Sequence, residues 1–208
     1  MPNFPIAVLI SGGGTTLRNL IEWQRLGLLD VEFCVVICSN PKAKGLEFAR
    51  EANIPIQLLS QKDFPDAQSH SEAVFGCCRK HRVQLAVMGG YLEHVLIPDD
   101  FRNRVINIHP SLIPAFSGHG YYGEKVHQAV IEMSVKLTGC TLHFVDNEYD
   151  HGPIIAQRSC AVLEGDNPES IQRRVFELEC QLYPEVINAI ARNRVSVDGR
   201  KVSVRAIV

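Results

Sequence analysis

Val105-Ile106-Asn107-Ile108-His109 is a short apolar run that carries Asn107 and His109 two positions apart. On a strand, residues so spaced point to one face. An amide donates N–H to a developing oxyanion, and an imidazole donates a proton or takes one up. The plainer reading is two polar groups satisfied within the fold. Further along, Asp150 lies in the turn-prone stretch Glu148-Tyr149-Asp150-His151-Gly152-Pro153. A carboxylate beside an imidazole fixes its orientation and favours its charged form. Alone, Asp150 would only initiate the turn before Gly152-Pro153. Spacing along the chain does not bring Asp150 to His109.

Ser11-Gly12-Gly13-Gly14-Thr15-Thr16 follows another apolar run. Glycines let backbone approach a ligand closely, and free N–H groups at a helix start bind anions. The segment is neither a full dinucleotide fingerprint, since Leu17 stands where a third glycine belongs, nor a Walker loop, since no Gly-Lys-Ser/Thr follows. It reads as a phosphate cradle or as a tight strand-to-helix turn with a Thr cap. The remaining histidines (His70, His81, His94, His119, His127, His143 and His151) show no metal-ligand spacing. They read as surface or structural groups. The seven cysteines cannot all pair internally and form no C-x-x-C motif. They read as free, mostly buried thiols in a reducing cytoplasm. Adjacent Cys77 and Cys78 with His81 make a poor tetrahedral set for zinc.

These residues need elements to hold them. Pro5–Ile10, Val31–Cys38, Ile54–Leu59 and Leu85–Met88 are compact apolar runs expected of strands buried on both faces. Between them, Leu17, Leu20, Ile21 and Leu28, then Lys44–Ala52, then Asp66–Arg82 follow helical spacing. This alternation predicts an α/β fold, a mostly parallel sheet with helices on both faces. Ligands in such sheets sit at the carboxyl ends of the strands, here Ser11-Gly12, Ser39-Asn40, Gly89-Gly90 and Asn107 to His109.

After a Pro- and Gly-rich loop from Pro110 to Gly123, a helix is expected over Glu124–Met133, then strands over Cys140–Val145 and Ile154–Val162. These C-terminal strands are expected to be partly antiparallel. Asn167 caps a long helix with Pro168 at its first position, and Pro184 should kink or break it. Val195–Val204 reads as a hairpin. A four-residue loop, Asp198 to Lys201, would face Val197 with Val202 and Val195 with Val204.

The 208 residues have 46% apolar and 21% charged content, ordinary for a globular chain. A net charge of −2 gives no general pull toward nucleic acid or anionic lipid. No run approaches the roughly 18 apolar residues of a membrane span, and Met1-Pro2-Asn3-Phe4-Pro5 lacks a secretory start. One domain, 1–208, is expected, with halves 1–100 and 101–208. No nucleic-acid and no membrane partner follow from the same balance and a cytoplasmic location from the free thiols; small-molecule substrates are expected, with monomer or homodimer left open.

Several segments together resemble the phosphoribosylglycinamide formyltransferases, a folate-dependent formyltransferase family. They are Val8 to Leu17, Val105-Ile-Asn-Ile-His-Pro-Ser-Leu-Ile-Pro114, His127-Gln-Ala129, Thr138-Gly139, His143-Phe-Val145, Asp150-His-Gly-Pro-Ile-Ile155 and Tyr183-Pro184. The resemblance implies a Rossmann-like fold, with phosphate-substrate binding in the first half and catalysis and folate binding in the second. It implies Asn107, His109 and Asp150 as catalytic residues. Gly14, Thr15 and Thr16 would hold a substrate phosphate, and Glu179 would contact the substrate. The loop Leu92, Glu93, His94 and Val95, together with Asn107, would bind the co-substrate 10-formyltetrahydrofolate. In that loop the family typically reads Gly-Phe-Met-Arg-Ile-Leu; this chain has Gly-Tyr-Leu-Glu-His-Val-Leu, one residue longer and without the Arg. Related formyltransferases and deformylases carry an extra domain that these residues would not accommodate.

The implied reaction moves a formyl group to the amine of glycinamide ribonucleotide, in purine synthesis, without a metal. Asn107 and a protonated His109, held charged by Asp150, would donate to the oxyanion. A formyltransferase for another amine, such as a sugar nucleotide, and a silent folate-binding relative are the alternatives.

Overall fold

The computed structural model describes residues 4–205. Met1 to Asn3, part of the stretch read above for a secretory start, lie outside them. The chain divides into two compact units, with the boundary between Ile106 and Asn107. In the first unit, β1 (Phe4–Ile10), β2 (Val31–Cys38), β3 (Ile56–Leu58) and β4 (Leu85–Met88) alternate with α1 (Thr15–Arg25), α2 (Gly45–Glu51) and α3 (Ala67–Lys80). β1 pairs in parallel with β2 and β4, and β2 with β3. Ile6 to Ile10 are fully buried, which explains an apolar run without alternation.

Helix α1 stops earlier than the spacing through Leu28 suggested. Gly27 takes a φ of 71° and Leu28 is exposed. Its cap is also not a threonine. Gly14, with φ 68°, sits at the N-cap, and no side chain caps the helix. A Cβ on Gly14 would overlap Cα of Gly45, whose N–H donates to the Gly12 carbonyl at 3.0 Å. Close backbone packing, not capping, therefore sets this turn.

β5 (Val105–His109) crosses the boundary. The second unit adds α4 (Glu124–Glu132), β6 (Leu137–Phe144), β7 (Ile154–Ala161), α5 (Pro168–Ala191), β8 (Val195–Asp198) and β9 (Lys201–Val204). The large sheet has the order β3-β2-β1-β4-β5-β6-β7, and β8 and β9 form a separate sheet. β6 and β7 are antiparallel. The fold class is the one expected, mostly parallel with an antiparallel C-terminal edge.

Asn167 and Ser170 exchange side-chain-to-backbone hydrogen bonds in a capping box at the start of α5. The helix does not break at Pro184 but runs on to Ala191. Pro184 is buried beside buried Tyr183, Val186 and Ile187. Their packing outweighs the roughly 3 kcal/mol that an internal proline costs. The β8–β9 register pairs Val195 with Val204 and Val197 with Val202, as expected. Asp198 and Lys201 also pair, so the loop is two residues, Gly199-Arg200, rather than four.

Burial pushes the thiols of Cys78 and Cys140 up to about 12, and all seven cysteines are free. Among the described residues, no helix is long and apolar enough to cross a membrane.

Candidate active site

β5 ends in Asn107 and His109, and β6 runs through His143 before the loop that carries Asp150. The structure gathers all four in the second unit. Nδ1 of His109 lies 3.3 Å from Oδ2 of Asp150. Nε2 of His143 lies 3.6 Å from the other carboxylate oxygen and 3.4 Å from Nδ2 of Asn107. Asn107 thus reaches Asp150 through His143, not through His109.

Backbone groups set which ring nitrogens carry protons. Nδ1 of His143 donates to the Phe144 carbonyl at 2.8 Å. Nε2 then accepts one N–H of the Asn107 amide when the ring is neutral and donates to Asp150 when it is charged, and the second Asn107 N–H is free for another acceptor. Nε2 of His109 donates to the Phe116 carbonyl at 2.8 Å. A carbonyl cannot donate, so this nitrogen keeps its proton whether the ring is neutral or charged.

Burial pulls the His109 imidazole below its ordinary range, against the opposing pull of Asp150 and the Phe116 carbonyl. Asp150 thus opposes burial by favouring the charged ring, and Nε2 carries a proton in either state. Burial would raise the Asp150 carboxyl, but His143, His109 and the Gly118 N–H, donating at 2.9 Å, together hold it below the ordinary carboxylate range. Asp150 is therefore an ionised acceptor at neutral pH. It sits at φ 52°, a left-handed conformation that Asp tolerates. Two residues on, a Cβ at Gly152 would overlap the Phe144 carbonyl oxygen.

Burial pushes the carboxyl of Glu179, on α5 of the same unit, up to about 8. His127, on α4, is buried and held down at about 4 by burial and the proximity of His109. Gly14 to Thr16 and Leu92 to Val95 belong to the first unit. There the 90s loop is tied down by Leu92 N–H donating to Ser11 Oγ at 2.9 Å and Leu96 N–H to Ser71 Oγ at 2.8 Å. The Glu93 carboxylate is spent inside that unit, on Ser60 Oγ at 3.2 Å, the Gln61 N–H at 2.9 Å and His70 Nε2 at 3.2 Å.

Residues 4–187 match the family model described as formyl transferase. The chain belongs to the formyl transferase family. It is 40% identical over 195 residues to the chloroplastic phosphoribosylglycinamide formyltransferase of Vigna unguiculata, a match covering 91% of this chain and 62% of that protein. It thus spans less than two thirds of that plant relative's length. The phosphoribosylglycinamide formyltransferase of Bacillus subtilis is 33% identical, with 88% of this chain and 93% of that one covered. Among solved structures, glycinamide ribonucleotide transformylase 1 of Symbiobacterium toebii superposes with a TM-score of 0.90 at 37% identity, covering 97% and 94% of the two chains.

In this formyl transferase, the sequence reading missed His143 as part of the cluster and classed it as surface or structural. The available signal was a histidine inside an otherwise apolar strand run, a position that demands a partner when buried. His143 is 2% exposed.

Proposed function

We propose that this chain transfers the formyl group of 10-formyltetrahydrofolate to the amine of glycinamide ribonucleotide, as a cytoplasmic enzyme acting on small molecules. The carrying observation is the Asn107–His143–Asp150–His109 cluster, with its assigned protons. The co-substrate supplies an activated formyl carbonyl. The free N–H of Asn107 and the Nε2–H of His109 stabilise negative charge as it develops on the formyl oxygen. Ionised Asp150 takes up, through water, the proton that the attacking amine loses and returns it to the folate nitrogen, which leaves as its bond to the formyl carbon breaks. Glu179 meets the acceptor substrate. The N–H groups of Thr15 and Thr16, in the first turn of α1, have no partner within their own helix and suit a phosphate. Binding the substrate through its phosphate holds the amine in place and lowers the entropic part of the barrier.

The first half thus serves the phosphate substrate and the second the chemistry. The 90s loop supports folate binding in two respects: serine hydroxyls fix its backbone, and the Leu92 side chain is 66% exposed as apolar surface. Glu93 serves the loop's shape, since its carboxylate is already engaged.

The test is formyl transfer by the purified protein from 10-formyltetrahydrofolate, with glycinamide ribonucleotide and a panel of other amines, including amino-sugar nucleotides, as acceptors. Turnover with glycinamide ribonucleotide is expected. Turnover only with another amine overturns the acceptor, and folate binding without transfer to any amine overturns the enzymatic reading.

A further inference from the structure

We propose that Arg200, in the turn of the β8–β9 hairpin, is a positioning residue for the Asp150 carboxylate. The hairpin lies beyond the residues that match the family model. Gly199, at φ 58°, closes the two-residue turn that presents Arg200. The guanidinium makes two hydrogen bonds to one residue: Nη2 donates to the His151 carbonyl at 2.7 Å, and Nη1 to His151 Nε2 at 2.9 Å.

A guanidinium has no acceptor, so Nε2 of His151 must be the bare nitrogen. Its proton then lies on Nδ1 and goes to Asp146 Oδ2 at 2.8 Å. The other Asp146 oxygen accepts the Glu148 N–H at 3.0 Å. Arg200, His151 and Asp146 form one directed chain that closes the loop from Asp146 to His151 on itself. Asp150 is the residue immediately before the clamped one.

Three groups hold the Asp150 carboxylate from the site side, namely His109, His143 and the Gly118 N–H. None of them fixes the peptide that carries it at φ 52°. Arg200 holds the residue that follows Asp150, through both the ring and the carbonyl of His151. Because His151 and Asp146 are 47% and 38% exposed, the clamp contributes little to global stability. Its effect is concentrated on where one carboxylate points, and sub-ångström placement of such groups governs turnover.

The inference rests on Asp150 serving the chemistry proposed above, and its test separates the two. Arg200→Ala and Arg200→Lys are compared with the wild type by steady-state kinetics and by the titration midpoint of the His109 imidazole in NMR spectra. R200A is expected to lose about three- to tenfold in kcat, with KM for both substrates within about twofold. The His109 midpoint should fall, because a displaced Asp150 no longer favours the charged ring. R200K, which restores one donor, should recover part of both. An R200A protein with an unmoved His109 midpoint overturns the inference, whether or not kcat changes. A wild type without formyl transfer overturns the function, while the midpoint still reports on the clamp.

Discussion

Glu179→Gln tests a carboxyl that burial perturbs. Its carboxyl is raised from 4.5 to about 8, with desolvation as the cause. The folded protein therefore binds one proton more than the unfolded chain between those limits, and stability falls as pH rises through them. From pH 5 to pH 8 the full shift corresponds to a loss of about 3.5 kcal/mol. Glu179 is not completely shut off from solvent, and discounting for screening and relaxation leaves about 1–3 kcal/mol.

Glutamine cannot ionise, so the variant lacks this loss while every other titrating group is shared. Urea unfolding of both proteins at pH 5 and pH 8 should show the variant overtaking the wild type by that amount as pH rises. A stability difference that does not change between the two pH values would refute the claim that burial acts on this group alone. The same substitution should raise KM for the ribonucleotide acceptor, since an uncompensated carboxyl is kept where a substrate compensates it.

Asn107→Ala and His109→Ala should fold and unfold like the wild type yet lose roughly 10²–10³ in turnover each, measured at saturating substrates. Asp150→Asn should lower the NMR titration midpoint of His109, because the opposing charge that partly offsets burial is gone; an unchanged midpoint would mean the 3.3 Å contact carries no charge coupling. Gly14→Ala should cost about 2–4 kcal/mol in urea unfolding, from its positive φ and the overlap with Gly45.

Asn107 and His109 were legible because a two-residue period on an apolar strand leaves no freedom about which face they share. The valine pairing fixed the hairpin register for the same reason, although the loop length was misjudged because Asp198 and Lys201 extend the ladder. From spacing alone Asp150 was visible as a residue but not as a partner; the family resemblance was what paired it with His109. The contact joins positions 41 apart through a loop whose conformation depends on Gly152, Gly118 and the Arg200 clamp. His143 was legible only as a buried ring in need of a partner, not as a member of the site. A histidine in a buried strand has the same local sequence whether its second nitrogen meets a carbonyl or a catalytic amide. Pro184 shows tertiary packing overriding a local rule, and Glu93 shows a charged loop residue consumed by its own unit.

A buried N–H must have an acceptor before substrate arrives, or the fold bears the cost of leaving it unpaired. His109 meets that requirement with the Phe116 carbonyl. The substrate oxygen then replaces one acceptor by another, so the donor is oriented in advance and no hydrogen bond is lost in the exchange. The foot of the Phe116 loop is held separately: Thr141 Oγ1 donates to the Ser111 carbonyl at 2.7 Å and accepts the Ile113 N–H at 3.0 Å. Displacing the Phe116 carbonyl therefore does not require the loop's attachment to β6 to come apart. Preorganisation here lies in the tautomer and in the anchored foot of the loop, and both come from backbone carbonyls and a threonine hydroxyl rather than from the residues that carry the chemistry.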